Sequence, residues 1–284
     1  MARELRISEA LRSARFIFRD RSVVAGIVML SFIGLLAVLV PYLNVPYFNS
    51  MDFPRFSPPS PKNPLGTDHL GRDMLARVLW GARVSLAIGI CAAGLASIIG
   101  IVLGSVSGYF RGRVGAVIDG LINVFQVIPA FFLALVLLVI FGSSLYLLML
   151  VIAVTTWPMI ARIMRAQVLS VKERLFVEAA KAIGCGDIHI LFKHVIPHAI
   201  PPALAYTILE IGSAIMMEAG LSYLGLGDPN YPSWGRMIYE GQPYIVSAPW
   251  ISLIPGVFLV YTVIGVNLVG NGLLKIFNPK LAQR

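Results

Sequence analysis

"VEAAKAIGCGDIHILFKHVIPHAIPP", residues 177–202, is the stretch on which the reading of the chain turns. It carries Glu178, Lys181, Asp187, His189, Lys193, His194 and His198. Such a density of ionisable groups is costly inside a bilayer. Yet it stands between two windows suited to lipid. Residues 120–161 contain no charged side chain, and residues 199–227 contain only Glu210 and Glu218. The segment therefore reads as an ordered loop on one face of a membrane, and the side it faces sets the topology.

The rest of the chain agrees. Of its 284 residues 57% are hydrophobic and 13% charged, where a soluble globular protein is about one quarter charged. Residues 22–43, 84–110 and 241–274 are further windows without charge. A helix needs roughly 20 apolar residues to cross a hydrocarbon core of about 30 Å. The windows predict an all-α integral membrane protein with six transmembrane helices, near 22–43, 84–109, 115–140, 145–165, 199–226 and 251–274. The first has the basic start of a signal peptide. Its apolar run is too long for one, and no small-x-small cleavage site follows, so it reads as a retained helix.

Lys and Arg give the orientation. Seventeen of the 23 basic residues fall on the side that holds the N-terminal segment, the 110–114 loop, residues 162–198 and the tail. Six fall on the other: Arg55, Lys62, Arg72, Arg77, Arg83 and Arg236. Both termini and the opening segment are expected in the cytoplasm. The net charge of +9 is then a matter of topology, and no nucleic-acid partner is needed to account for it. The organisation that follows is a cytoplasmic amphipathic segment 1–21 on membrane lipid, a first span 22–43, an extracytoplasmic loop 44–82, a five-helix core 83–275 and a cytoplasmic tail 276–284. In the loop, "FPRFSPPSPKNP" excludes regular helix. Asp68 then reads as the N-cap of a surface helix running to Trp80. Residues 228–250, with four prolines and five aromatic residues, form a second outer segment.

Ala92, Ala96, Gly100, Gly104 and Gly108 recur every four residues. That stripe predicts close helix packing. Pro129 and Pro158 predict kinks. Cys91 and Cys185 fall in different compartments and should not pair.

No catalytic constellation is present. The chain lacks G-x-x-x-x-G-K-[ST], H-E-x-x-H and G-x-S-x-G. His194 and His198 are four apart, but Pro197 lies between them and no further ligand is at hand, so no metal site is expected. Asp119 reads as an interfacial partner for a basic side chain or as a functional group. Glu210 and Glu218 lie eight apart, on similar faces, and border either a water-filled path or buried polar partners. Asn267 and Asn271 read as helix-to-helix hydrogen-bonding groups. Three classes remain open on these grounds: the membrane half of a motor-driven transporter, a stand-alone carrier and a membrane-embedded enzyme. The enzyme lacks chemistry, and the carrier lacks the internal repeat such proteins show.

Within the opening segment, residues 172–183 predict a short amphipathic helix. Leu175, Phe176, Ala179, Ala182 and Ile183 share its apolar face. Gly184 suits the left-handed residue that ends a helix. Asp187 is placed to cap a second helix over 188–196, and Pro197 to begin the return to the membrane. A loop so ordered points to a docking partner.

"EAAKAIGCGDIHILFKHVIP" resembles the EAA loop of ABC-importer permeases. Glu178, Ala179, Ala180, Gly184 and Pro197 match in place. Ile196 replaces a leucine, and His194 stands where isoleucine is usual, as in the peptide-importer branch. "NPLGTDHLGRDMLARVLWGARVSL", "EAGLSYLGLG", "PSWGRMI" and "APWISLIPG" agree with the C-type permease of the dipeptide, oligopeptide and nickel importers. The resemblance implies a type I ABC-importer permease fold with cytoplasmic termini in a prokaryotic cell membrane. It also implies a homologous B-type permease, two ABC ATPase subunits and an extracytoplasmic solute-binding protein as partners. ATP and Mg²⁺ would sit on the ATPases, with no cofactor, metal or catalytic residue in this chain. Leu175, Phe176, Glu178, Ala179, Ala180, Ala182, Ile183, Gly184, Asp187 and Pro197 would form the ATPase-coupling surface. Peptides are the expected solutes, with oligosaccharide or nickel as alternatives.

Overall fold

The computed structural model describes residues 20–43, 45–110 and 112–277. The expected amphipathic segment 1–21 lies outside them except for its last two residues, as does most of the tail. One isolated bridge joins Thr67 and Asp73; the other described residues are helix, turn and loop.

Helix α1 spans Arg21–Leu39, with Asp20 accepting from the Ser22 N–H as its cap. Then follow α2 (Met74–Tyr109), α3 (Arg113–Val127), α4 (Ala130–Phe141) and α5 (Leu145–Lys172). Two short helices, α6 (Leu175–Ala182) and α7 (Asp187–Ile190), lead through a π turn, Leu191–Val195, into α8 (Ile196–Leu221). Helices α9 (Trp234–Gly241) and α10 (Trp250–Phe277) complete the chain.

Among the described residues five stretches are long and apolar enough to cross a membrane: α1, α2, α5, α7 with α8, and α10. Helices α3 and α4 make a sixth if taken as one broken span, bent by 85°. The kink expected at Pro129 is thus a complete break. Ile128 and Pro129 both adopt extended ψ near 124°. Proline lacks the N–H that would continue α3, and its ring drives the preceding residue out of the helical region. Pro158 lies inside α5 without ending it.

The start of α2 corrects the expected surface helix. Asp73, and not Asp68, is the N-cap, its Oδ1 accepting from the Ala76 N–H at 2.8 Å. From there α2 runs unbroken for 36 residues, about 54 Å. No separate surface helix precedes it among the described residues.

The small-residue stripe is a packing face. A Cβ at Gly100 would meet the Ile160 Cβ at 2.7 Å, one at Gly104 would fall on the Ala161 carbonyl, and one at Gly108 would lie 2.9 Å from the Arg165 carbonyl oxygen. Residue numbers rise together on α2 and α5, so the two helices are parallel. Such close approach supplies the dispersion that holds helices together in lipid. Helix α8 crosses α2 antiparallel, with the Ser97 and Thr207 hydroxyls 2.7 Å apart and Gly89 against Ile211 and Ile215. Helix α10 packs on α8 at Gly212 and Gly270, and α1 packs on α10 at Gly26 and Gly265.

The bundle has two unlike ends. At the loop end, residues 45–73 and α9 are joined by ion pairs. Asp68 is fully buried and accepts from Arg72 Nε at 2.5 Å and from Arg77 Nη1 at 2.7 Å. Glu240 on α9 accepts from both arginines, at 2.7 and 2.8 Å, and from Arg236 at 3.1 Å. Burial alone would push the Glu240 carboxyl up, but the Arg77 and Arg72 guanidiniums pull it down to about 2. Trp234 is buried beneath, donating to the Val78 carbonyl. At the other, hairpin end lie residues 173–195.

Candidate functional sites at the hairpin and in an open cavity

Helix α6 ends as its sequence requires. Gly184 has φ +86°. Its N–H donates to the Lys181 carbonyl at 2.9 Å, and the Cys185 N–H donates to the Ala180 carbonyl at 3.1 Å. This is the Schellman pattern, which needs a left-handed residue after the helix.

The apolar face expected to dock is uncovered in this chain, and another pair of residues holds α6 to the bundle. Val177 and Ala180 point inward, against Val168, Val171, Ile190, Leu191 and Tyr109. Leu175 and Ile183 are each 82% exposed, and Phe176, Glu178, Ala179 and Ala182 are exposed as well. Ala180 is therefore a packing residue, while the other apolar side chains form an uncovered patch. Ile188 and Phe192 extend it. Neither had been singled out by the amphipathic pattern of α6, because they belong to the following turn.

Asp187 is not the cap of α7; Gly186 is, through backbone alone. The Asp187 carboxylate instead accepts from the Tyr109 hydroxyl at 2.8 Å. Lys172 donates to the Tyr109 carbonyl at 2.9 Å. The Lys172 and Lys181 ammonium groups lie 5.6 and 5.9 Å from the Tyr109 ring centre. The last residue of α2 is thus held by both limbs of the hairpin. Sequence reading missed Tyr109, although it directly follows the small stripe at Gly108.

Pro197 stands where the chain enters its next long apolar helix. It lies in the first turn of α8, just after the π turn. The wider hydrogen-bond spacing of a π turn accommodates a residue without an N–H. The His198 ring packs on Phe176 at 5.0 Å and bonds to the His194 carbonyl. No cluster of His, Cys, Asp and Glu among the described residues is arranged to hold a metal.

The two acidic residues of α8 have different surroundings. Glu218 is 1% exposed and accepts from the Ser222 and Ser233 hydroxyls, each at 2.6 Å. It ties α8 to the start of α9. Glu210 is 4% exposed and lines a cavity of about 550 Å³ between α3, α4, α5 and α8. Phe125, Pro129, Thr156, Met159 and Met216 share that lining. A groove of about 900 Å³ along α9 and α10 is larger, but its walls are mostly aliphatic and carry no charge. Asp119 pairs with Arg165 at 2.6 Å, the interfacial role read for it. Asn267 and Asn271 are exposed and do not bridge helices.

The comparisons with known proteins fit this geometry. The chain belongs to the family of binding-protein-dependent transport system inner membrane components, whose model matches residues 100–283. That range takes in the hairpin and the cavity. It is a multi-pass permease subunit of the ABC-importer type. Among curated proteins it is 34% identical, over 96% of its length and 90% of the other, to the oligopeptide transport system permease protein OppC of Bacillus subtilis. It is 33% identical, over 93% of its length and 87% of the other, to the dipeptide transport system permease protein DppC of Alkalihalophilus pseudofirmus. Of solved structures, a chain from inward-facing conformations of the MetNI methionine ABC transporter superposes with TM-score 0.59 at 20% identity, covering 72% of this chain and 98% of that one. An amino acid ABC transporter gives 0.55 at 18% identity, covering 72% and 94%. The fold is that of a type I ABC-importer permease.

Proposed function

We propose that the chain is one half of the translocation path of an ATP-driven peptide importer. The observation that carries this reading is the uncovered apolar patch on a hairpin that is otherwise locked to the bundle. Leu175, Phe176, Ile183, Ile188 and Phe192 face outward, while Val177, Ala180 and Ile190 anchor the hairpin from beneath. Short helices are marginal alone in water, and exposed apolar side chains on an anchored frame suit a groove in another protein. In this reading the hairpin faces the cytoplasm and receives an ABC ATPase subunit. ATP and Mg²⁺ sit on that subunit. A homologous permease supplies the other half of the path, and a solute-binding protein delivers to the loop end. The peptide assignment rests on the oligopeptide and dipeptide permeases to which the chain is similar.

The test is reconstitution of the chain in proteoliposomes with its neighbouring permease, ATPases and binding protein. Uptake of a labelled dipeptide should require ATP, both ATPases and the binding protein. Uptake that persists without the ATPases would mark a stand-alone carrier. Uptake of nickel or oligosaccharide in place of peptide would correct the solute.

A further inference from the structure

The cavity beside Glu210 has a chemical imbalance. The carboxylate is buried, and its Oε1 has no hydrogen-bond partner. The Thr156 hydroxyl, buried in the same wall, is the neighbour of this carboxylate and stands beside it. No lysine, arginine or histidine lines the cavity, and no ion pair to Glu210 forms among the described residues. Glu218, two turns along the same helix, accepts two serine hydroxyls through Oε1; its Oε2 also lacks a partner, but Glu218 does not line this cavity.

The remaining walls narrow the ligand. Phe125 and Phe131 bring aromatic rings to the cavity, whose faces attract cations. Met159, Met216 and Met217 offer polarizable, adaptable surface. The break at Ile128 and Pro129 lies in the lining, so the carboxyl end of α3, the negative end of its dipole, is directed to this region. Ser213 and Met216 are exposed, which leaves one side open for a solute. A metal ion is the poorer fit, since Glu210 is the only carboxylate and no histidine or cysteine joins it.

We propose that this cavity binds a protonated amine of the transported solute, with Glu210 as its counter-ion, Thr156 as an acceptor and the aromatic rings beside it. The proposal rests on the permease reading above and names which part of the solute this half of the path recognises. A charge-assisted bond from an ammonium to a buried carboxylate is the strong kind. It also explains how a carboxylate is tolerated here with no cationic partner among the described residues.

The experiment uses the assembled complex in nanodiscs without the binding protein, so that the binding protein's own selectivity does not enter. Phenylalaninamide serves as the cationic probe and N-acetylphenylalaninamide as its neutral counterpart, with affinity read by ligand-induced shift in thermal stability. Wild type should prefer the amine by about tenfold. Glu210→Gln should remove the preference while leaving the neutral probe's affinity unchanged, and Thr156→Val should reduce it about threefold. Size-exclusion profiles of each variant establish that assembly is intact. Equal affinity for the two probes in wild type, or a preference that survives in Glu210→Gln, overturns the proposal. So does saturable Ni²⁺ binding that the amine does not displace. ATP-driven uptake measured on the same wild-type complex with the binding protein restored separates the two readings: uptake without amine preference sinks this site and leaves the importer standing.

Discussion

The two ends of the bundle solve opposite problems. At the loop end, five charged side chains from two distant segments are drawn largely out of water and pair with one another: Asp68 and Arg72 from the loop before α2, Arg77 from its first turn, and Arg236 and Glu240 from α9. Of these five side chains only Arg77 leaves a buried polar atom, its Nε, without a partner. At the hairpin end the charged groups are mostly in solvent, and it is apolar surface that lacks a partner. The first arrangement stabilises this chain by itself. The second is incomplete by itself, which is what a surface for another subunit looks like. Removing a group at the loop end should therefore cost stability, whereas removing one from the hairpin patch should cost association.

The largest effect is expected from Arg77→Met. Arg77 is 2% exposed and bonds both Asp68 and Glu240. Removing one partner of a buried ion pair strands the others, at about 3–5 kcal/mol. Because Arg72 still reaches both carboxylates, the loss should fall near the low end. Thermal unfolding of the purified complex should show it as a lowered midpoint. An unchanged midpoint would mean that the network is dispensable and the contrast between the ends is false.

Acid should dissolve the same network from the other side. A carboxylate held below its ordinary pKa contributes stability that is complete above that ordinary value and is lost as pH falls through the folded one. For Glu240 this window runs from 4.5 down to about 2. Stability should be flat from pH 7 to 5 on this account, then fall by roughly 3 kcal/mol across the window. Glu240→Gln should be less stable at neutral pH and show a shallower acid limb. If the acid limbs of the two proteins coincide, Glu240 is not the group responsible.

Gly184→Val sits between the two regimes. The position has open space around a Cβ, so sterics cost nothing, but φ is +86° and a β-branched residue there costs about 1–2 kcal/mol. Any relief would move Cys185 and α7. The expected outcome is a small drop in stability with a larger loss of transport per ATP hydrolysed. Normal coupling would show that the turn geometry is incidental.

How much of this was legible beforehand differs between the ends. The spans follow from gaps in the charge pattern, because lipid tolerates so few charges. The small stripe on α2 was legible because close packing in lipid needs small residues whatever the partner helix is. The start of α2 was misread because Asp68 and Asp73 are equally good caps locally. Arg72 and Arg77 turn Asp68 into an ion-pair partner, and Glu240, which holds both arginines, is far away in sequence. On α6 the spacing groups Leu175 with Ile183, and both are uncovered; Ala180 packs inward instead, because Tyr109 and α5, which it meets together with Val177, lie outside the segment. The residues of α8 illustrate both outcomes. Burial of Glu210 and Glu218 follows from their place in an apolar window, whereas the serines that bond one and the cavity beside the other depend on tertiary placement.

The smallest effect on stability, and the sharpest test of the comparison, is expected from Leu175→Ser with Ile183→Ser. Both side chains are 82% exposed, and surface changes away from special features usually stay within about 0.5 kcal/mol. Burying them against a partner would be worth about 1.5–3 kcal/mol each, so their loss should weaken ATPase retention by tenfold or more. Val177→Ser supplies the reverse case. Val177 is fully buried, and a hydroxyl placed there gains no partner while leaving a void, so the folded hairpin itself should suffer. The pair of measurements is the unfolding midpoint of the isolated membrane subunits and the fraction of ATPase retained on gel filtration. Leu175 and Ile183 should move only the second, and Val177 should move the first. If the double exposed variant keeps its ATPase, the patch faces lipid or solvent and the hairpin end is as self-contained as the loop end.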